Sequence, residues 1–254
     1  MDWSRAKTIF IIAFLILDLF LGAQLSHTMQ QQSQFVEETD ISAQQLQQLL
    51  KQAKIKFKAK VPSPPKQLDT YKATITTMDQ SWKRDEKGGY TKEFGKPLPY
   101  KNQRDLEGIL RKEIPFFNDY EYIPTLSNPL KRQIYLQMVQ NHPIYDGKIE
   151  VDFSGLHRIH SIHITHFQLE QKVQASKLIP FNNALYNFIT GWNKTDFTIR
   201  GAILGYQAKV YPGTSEDYWL IPYWCFQVES SQLFVNATNR GGDEEVETGP
   251  TITK

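Results

Sequence analysis

The feature that most constrains this chain is an apolar run from Ile9 to Leu25, broken only by Asp18 and Gln24. A helix over that run is just long enough to cross roughly 30 Å of hydrocarbon. Arg5 and Lys7 precede it and no lysine or arginine follows before Lys51, so the positive-inside bias keeps the N-terminus in the cytoplasm and puts the rest of the chain outside. A cleaved signal peptide would share the charged start. Against it, the run is longer than a usual signal core, Leu21-Gly22-Ala23 offers a bulky leucine where cleavage wants a small residue, and no cysteine follows for lipidation. The sequence favours an uncleaved anchor.

Asp18 falls near the middle of the run, where a carboxylate costs on the order of 3 kcal/mol. Phe14, Asp18 and Gly22 recur at i, i+4 and i+8 and share one helical face, and a glycine there lets another helix approach closely. This face is the expected partner-binding site, with Asp18 bonded to a polar group on a partner's membrane helix. The competing reading is a protonated carboxyl tolerated in lipid or bonded to its own helix backbone.

The remainder reads as a globular region on a tether. With 254 residues and 40% hydrophobic content the chain supports a real core. A net charge of +2, with acids and bases interspersed, lacks the basic field that recruits nucleic acid. Cys225 stands alone, which excludes an intrachain disulfide, a cysteine-rich zinc site and a CxxC redox centre. An exported region without disulfides fits a Gram-positive bacterial surface.

Periodicity places the elements. Ser42 with Gln45 forms a capping box ahead of a helix over Ala43 to Lys54, and Asn102 caps a short helix carrying Leu106, Ile109 and Leu110. A third helix, led by Pro180 and ended by Gly191, carries a stripe of Phe181, Leu185, Phe188 and Ile189. Strands are expected over Ile55 to Val61, Tyr71 to Met78, Phe197 to Tyr211, Tyr218 to Glu229 and Gln232 to Ala237. Between Lys131 and Leu169 two alternating runs flank Asp146-Gly147, which predicts a hairpin turning there. The stretch from Asp79 to Gln103 reads largely as loop, and FFNDYEYIPTL as either strand or packed loop.

The resulting fold class is α+β: an N-terminal transmembrane helix, then two small modules, each of antiparallel strands with a packed helix. The expected division is 1–7 cytoplasmic, 8–25 transmembrane helix, 26–35 juxtamembrane spacer, 36–128 and 129–239 extracytoplasmic modules, and 240–254 a disordered acidic tail.

His157, His160, His163 and His166 recur every third residue and invite a metal assignment. In a strand, however, His160 and His166 share one face and His157 and His163 the other, each pair about 20 Å apart, so no two bind one ion unaided. Only a helical segment would assemble a zinc or copper site. No metal or other cofactor is therefore expected. Nor does the chain carry GxSxG, HExxH, SxxK, Walker A or GxGxxG, so an enzyme is not expected. Cys225, amid WCFQV, reads as a buried inert thiol, and Tyr218, Trp219, Tyr223, Trp224 and Phe226 read as core rather than as a ligand platform. Asp146 is assigned to the turn and Asp152 to a solvent face.

The N-terminus MDWSRAKTIFIIAFLILDLFL, with HPIYDGKIEV, NNALYNFI, ILGYQAKVY and YWLIPYWCFQVESSQLFVNATN, resembles the YycI-type regulators of the WalK (YycG) histidine kinase. The resemblance implies a single-pass cell-membrane protein of low-GC Gram-positive bacteria with its bulk outside. It also implies association with the kinase and with a YycH-type companion, partly through membrane helices, and a role in cell-wall homeostasis. The alternative drawn from the residues is a tethered surface module that binds a ligand or a metal.

Overall fold

The computed structural model describes residues 41–238 apart from 87, 193, 211–216 and 230, together with Phe14, Leu17, Asp18 and Glu247–Thr248. Three helices lie where their caps place them. Before α1 (Ala43–Gln52) the Ser42 hydroxyl accepts from the Gln45 N–H at 3.2 Å, and the Gln45 side chain accepts from the Ser42 N–H at 3.0 Å. Two otherwise orphaned donors are thereby satisfied. Asn102 accepts from the Asp105 N–H ahead of α2 (Gln103–Glu113), which buries Leu106 and Leu110. Helix α3 (Phe181–Trp192) buries its expected stripe, Phe181, Leu185, Phe188 and Ile189, together with Ala184.

All the described strands join one mixed sheet. Its backbone is β10 (Thr198–Val210), β11 (Asp217–Val228) and β12 (Ser231–Asn236), an antiparallel meander in which Leu204 faces Trp224 and Cys225 faces Phe234. Beside β10 lies β7 (His142–Phe153), which pairs with β6 (Arg132–Val139) and β8 (Arg158–Ile164). β2 (Gln67–Ile75) joins the other side, holding β11 and β9 (Phe167–Lys177).

Hydrophobic packing resolves into two large cores and a small third cluster of Tyr223, Cys225 and Phe234, and each large core draws residues from both sides of position 128. One gathers Leu46, Leu68, Tyr71 and Ala73 from the start of the described chain with Leu185, Phe188, Trp224, Phe226 and Val235 from its end. The other gathers Trp82, Leu106, Leu110, Tyr135, Ile149 and Ile162 from the middle. The reason is strand pairing: Ala73 registers with Leu169 on one side and Tyr218 on the other, so both chain ends close one module around a central insert.

Several local expectations are corrected. The hairpin between β6 and β7 turns at Gln140-Asn141, both with positive φ (49° and 66°), and Asp146-Gly147 lies inside β7. That left-handed pair is what a two-residue hairpin requires. The stretch expected to be loop contains β3 (Lys83–Arg84) and β4 (Tyr90–Pro99); Gly95 and Pro97 sit where the β4–β8 register slips between Glu93 and Leu98. The expected strand over Ile55 to Val61 shrinks to β1 (Lys56–Phe57), a short parallel partner for β10. Within FFNDYEYIPTL, a 3-10 turn (Phe117–Asp119), β5 (Tyr120–Tyr122) and a second 3-10 turn (Pro124–Leu126) follow one another. In the acidic tail, β13 (Glu247–Thr248) pairs with β12.

Candidate functional site

Phe14 and Asp18 are helical and exposed, as is Leu17 between them; Gly22 lies outside the described residues. Among the described residues no helix is long and apolar enough to cross a membrane, and most of the 8–25 run falls outside them.

In the described region the most developed site is an open cleft of about 890 Å³ where the two cores meet. It exists because β7 changes neighbours. Ile144 pairs with Tyr206 of β10, whereas Ile149 pairs with Ile164 of β8, and residues 145–147 bulge between. Side chains bridge the gap. Asp146 Oδ2 accepts from the Ala208 N–H at 2.8 Å, and the Tyr145 hydroxyl donates to the Ile203 carbonyl at 2.9 Å. Gln137 acts as a surrogate strand: its amide donates to the Phe167 carbonyl at 2.8 Å and accepts from the Phe167 N–H at 2.9 Å. A Cβ at Gly147 would stand 2.7 Å from the Gln137 side-chain oxygen, so only glycine leaves that amide its place.

One wall is a charged ladder. Lys148, Glu150 and Asp152 alternate along β7, and Arg132 of β6 grips Asp152 through two bonds of 2.5 and 3.0 Å while reaching Glu150 at 3.3 Å. Lys148 also reaches Glu150 at 3.3 Å. The paired bond to Asp152 holds the Arg132 guanidinium above its ordinary range, so the ladder stays charged. Asp152, assigned to a solvent face by its alternation, is therefore an ion-pair partner inside the cleft, and Asp146 is a strand bridge rather than a turn residue.

Beside this ladder, in register with Glu150, stands His163 of β8, whose Nδ1 lies 3.0 Å from the Thr91 hydroxyl and 3.6 Å from Asp85. Burial pushes its pKa below the ordinary value, against the pull of Glu150 and Asp85. At the floor is Gln207, only 8% exposed, whose Oε1 has no hydrogen-bond partner. Three other buried polar atoms lack partners among the described residues, in Trp82, Tyr206 and Trp224, and none of those side chains lines the cleft. A buried unpaired acceptor costs about 1–3 kcal/mol, and this one belongs to a side chain that lines the cleft.

The histidine run is not brought together. His157 precedes β8 with φ 58° and sets its ring against Tyr100, His160 borders a separate shallow groove, and His163 faces the cleft. His166 lies between β8 and β9, not on the strand the spacing predicts. Its Nδ1 lies 2.7 Å from the Thr76 hydroxyl, its Nε2 lies 3.1 Å from Asp119 Oδ2, and its ring stacks on Phe116 at 3.8 Å. Since a carboxylate only accepts, Nε2 donates to Asp119; burial lowers the ring's pKa and so favours the neutral form, in which Nδ1 accepts from Thr76. The ring thus bolts the end of β2 to the second core. Among the described residues no three His, Cys, Asp or Glu side chains are grouped to hold a metal ion.

The aromatic cluster divides by face. Trp224 and Phe226 lie fully buried in the first core, while Tyr223 and Cys225 point the other way and pack with Phe234 and Tyr145. Sequence reasoning missed Gln207 and Arg132. The available signals were a polar residue within the apolar β10 run ILGYQAKV and a charge alternation in KIEVD that needed an opposite partner.

No curated protein matches this chain. Among solved structures, an uncharacterized protein from Eubacterium rectale ATCC 33656 is similar at 9% identity, with a TM-score of 0.43, covering 77% of this chain and 86% of its own. A family model described as YycI protein matches residues 31–238, so the chain belongs to the YycI family, regulatory proteins associated with the WalK (YycG) pathway rather than enzymes.

Proposed function

We propose that this chain is a non-catalytic, membrane-anchored regulator of the sensor histidine kinase WalK (YycG), acting in a complex with a YycH-type companion to control cell-wall homeostasis. The observation that carries the reading is the family match over residues 31–238. In this reading residues 8–25 cross the cell membrane once, with the N-terminus cytoplasmic, and the face of Phe14, Asp18 and Gly22 docks on the kinase's membrane helices. Regulation requires different affinities for two kinase states, because equal binding to both shifts nothing. Co-purification with the kinase in mild detergent tests the contact. Asp18→Leu and Gly22→Leu are expected to lose the kinase and its regulation, and the docking face is wrong if both behave like wild type.

A second reading, a tethered ligand-binding module, is favoured by one observation: the unpaired Gln207 oxygen in the cleft. Gln207→Leu separates the two. Replacing an unsatisfied buried acceptor by an apolar group of similar shape is near neutral for stability. A folded Gln207→Leu chain that no longer supports kinase signalling in a deletion strain marks the cleft as a receptor, and unaltered signalling removes this reading.

A further inference from the structure

Lysines crowd one short stretch: Lys51, Lys54, Lys56, Lys58, Lys60 and Lys66 occur with no acidic residue between Asp40 and Asp69. All six are exposed, and no ion pair among the described residues involves them. Elsewhere the surface neutralises itself, as where Lys72 meets both Glu170 and Asp217, Lys172 meets Asp69, and Lys92 meets Glu113. The strip is thus a local departure from a chain whose overall charge is only +2. Asp196, whose N–H bonds the Ala53 carbonyl, borders it.

The backbone turns the central lysines of this stretch to one side. Ile55 is buried, Lys56 exposed, Phe57 half-buried against Phe181 and Lys58 exposed again, so the alternation that seats Phe57 on α3 turns Lys56 and Lys58 outward together, and Lys60 beyond them is exposed as well. The same end of α3 receives the chain arriving from the N-terminal segment. The Ile41 N–H donates to Asn183 Oδ1 at 3.0 Å, and Asn182 donates to the Ile41 carbonyl at 3.2 Å. Entry point and lysine strip therefore flank one helix terminus. From Leu25 to Ile41 the chain reaches at most about 55 Å when fully extended, so the strip stays within reach of the surface the anchor leaves.

We propose that the lysine strip between Lys51 and Lys66 seats on the anionic phospholipid surface beside the anchor, fixing how the external region stands on the membrane. The partner's chemistry follows from the strip: uniform positive charge on exposed, flexible stems suits a diffuse negative surface rather than a shaped pocket. Oriented seating would set the direction in which the cleft, with Arg132 and Gln207, faces its partners. The proposal rests on the anchor reading above.

The test uses the full chain in nanodiscs of phosphatidylcholine alone or mixed equally with phosphatidylglycerol. Lysines are acetylated with a water-soluble reagent and read by mass spectrometry, with exposed Lys112 on α2 as the internal reference. Reactivity of Lys54, Lys56, Lys58 and Lys60 is expected to fall several-fold in the phosphatidylglycerol discs only. It should recover in molar salt, where the screening length is about 3 Å. Equal reactivity in both discs overturns the proposal while leaving the anchor intact. Protection in phosphatidylcholine discs on addition of soluble polyphosphate, with none from phosphatidylglycerol, also overturns it, in favour of a soluble polyanion. A chain that does not enter discs at all overturns the anchor reading and this one with it.

Discussion

The two cores are built on opposite plans. The second is drawn from the stretch Trp82 to Ile164, in which β6, β7 and β8 meet their neighbours in chain order, although Val139 and Ile144 at the β6–β7 turn pack in the first core. The first is closed by chain ends, because β2 must find both β9 and β11 before Tyr71, Ala73, Leu220 and Trp224 are covered. Loop closure of that kind is slow and unrewarded until late. The contrast teaches that the central insert has the independent frame, while the surrounding module is stable only when its termini are in place.

The largest effect should come from breaking the closure itself. Phe188 is fully buried and stacks on Phe226 at 4.6 Å. Phe188→Ala removes that ring at a cost of about 3–5 kcal/mol. Hydrogen exchange of the full chain should then show residues 41–75 and 167–238 losing protection while Trp82 to Ile164 retain theirs. Simultaneous loss everywhere would show the two cores to be one cooperative unit and would end the comparison.

How much of this was legible in the sequence depended on whether a signal is local. The Ser42–Gln45 and Asn102 caps, and the alternation along β10, β11 and β12, act within a few residues and were read correctly. β9 was missed because residues 168–175 are exposed on both faces, so no period of two is written into FQLEQKVQASK. β4 is masked by the polarity of its surroundings and by Gly88-Gly89, Pro97 and Pro99, which read as breakers although Pro97 falls where the β4–β8 register slips. The hairpin was misplaced because Asp146-Gly147 is an equally good local turn, and the competing demand on Asp146 comes from Ala208, far along the chain. The cleft was hidden for the same reason. Alternation showed Lys148, Glu150 and Asp152 as outward, but only the fold brings them beside His163, Asp85 and the floor at Gln207.

A smaller effect sharpens the seam between the cores. Burial holds His163 and His166 below the ordinary histidine value of 6.5, opposed by Asp85 and Glu150 in one case and Asp119 in the other. Both are therefore neutral in the fold, and as pH falls through about 6.5 the unfolded chain takes up protons first. Stability should be full above that value and decline on acidification, with a slope approaching about 1.4 kcal/mol per pH unit for each histidine kept neutral. Urea midpoints between about pH 7 and 5, above the carboxylate range, should show a shallower slope in His166→Gln, which keeps a polar side chain but does not titrate. An unchanged slope would assign the acid sensitivity elsewhere and remove His166 as a titrating bolt.

The smallest expected signal is none at all. Cys225 lies on β11 with its thiol turned away from the first core, packed with Tyr223 and Phe234, and burial pushes its pKa up to about 12. Since the thiolate is the reacting species, iodoacetamide at neutral pH should leave the native chain unmodified. Any slow labelling then measures the opening of β11 from its neighbours. Phe188→Ala should raise the rate, because it loosens the module that holds β11. Ile162→Ala, a truncation of about 2–5 kcal/mol in the other core, should leave it near the wild-type value if the cores open separately. Equal acceleration by both variants would mean that opening passes through the seam at Gln137 and Phe167, making those paired amide bonds the coupling between the two halves.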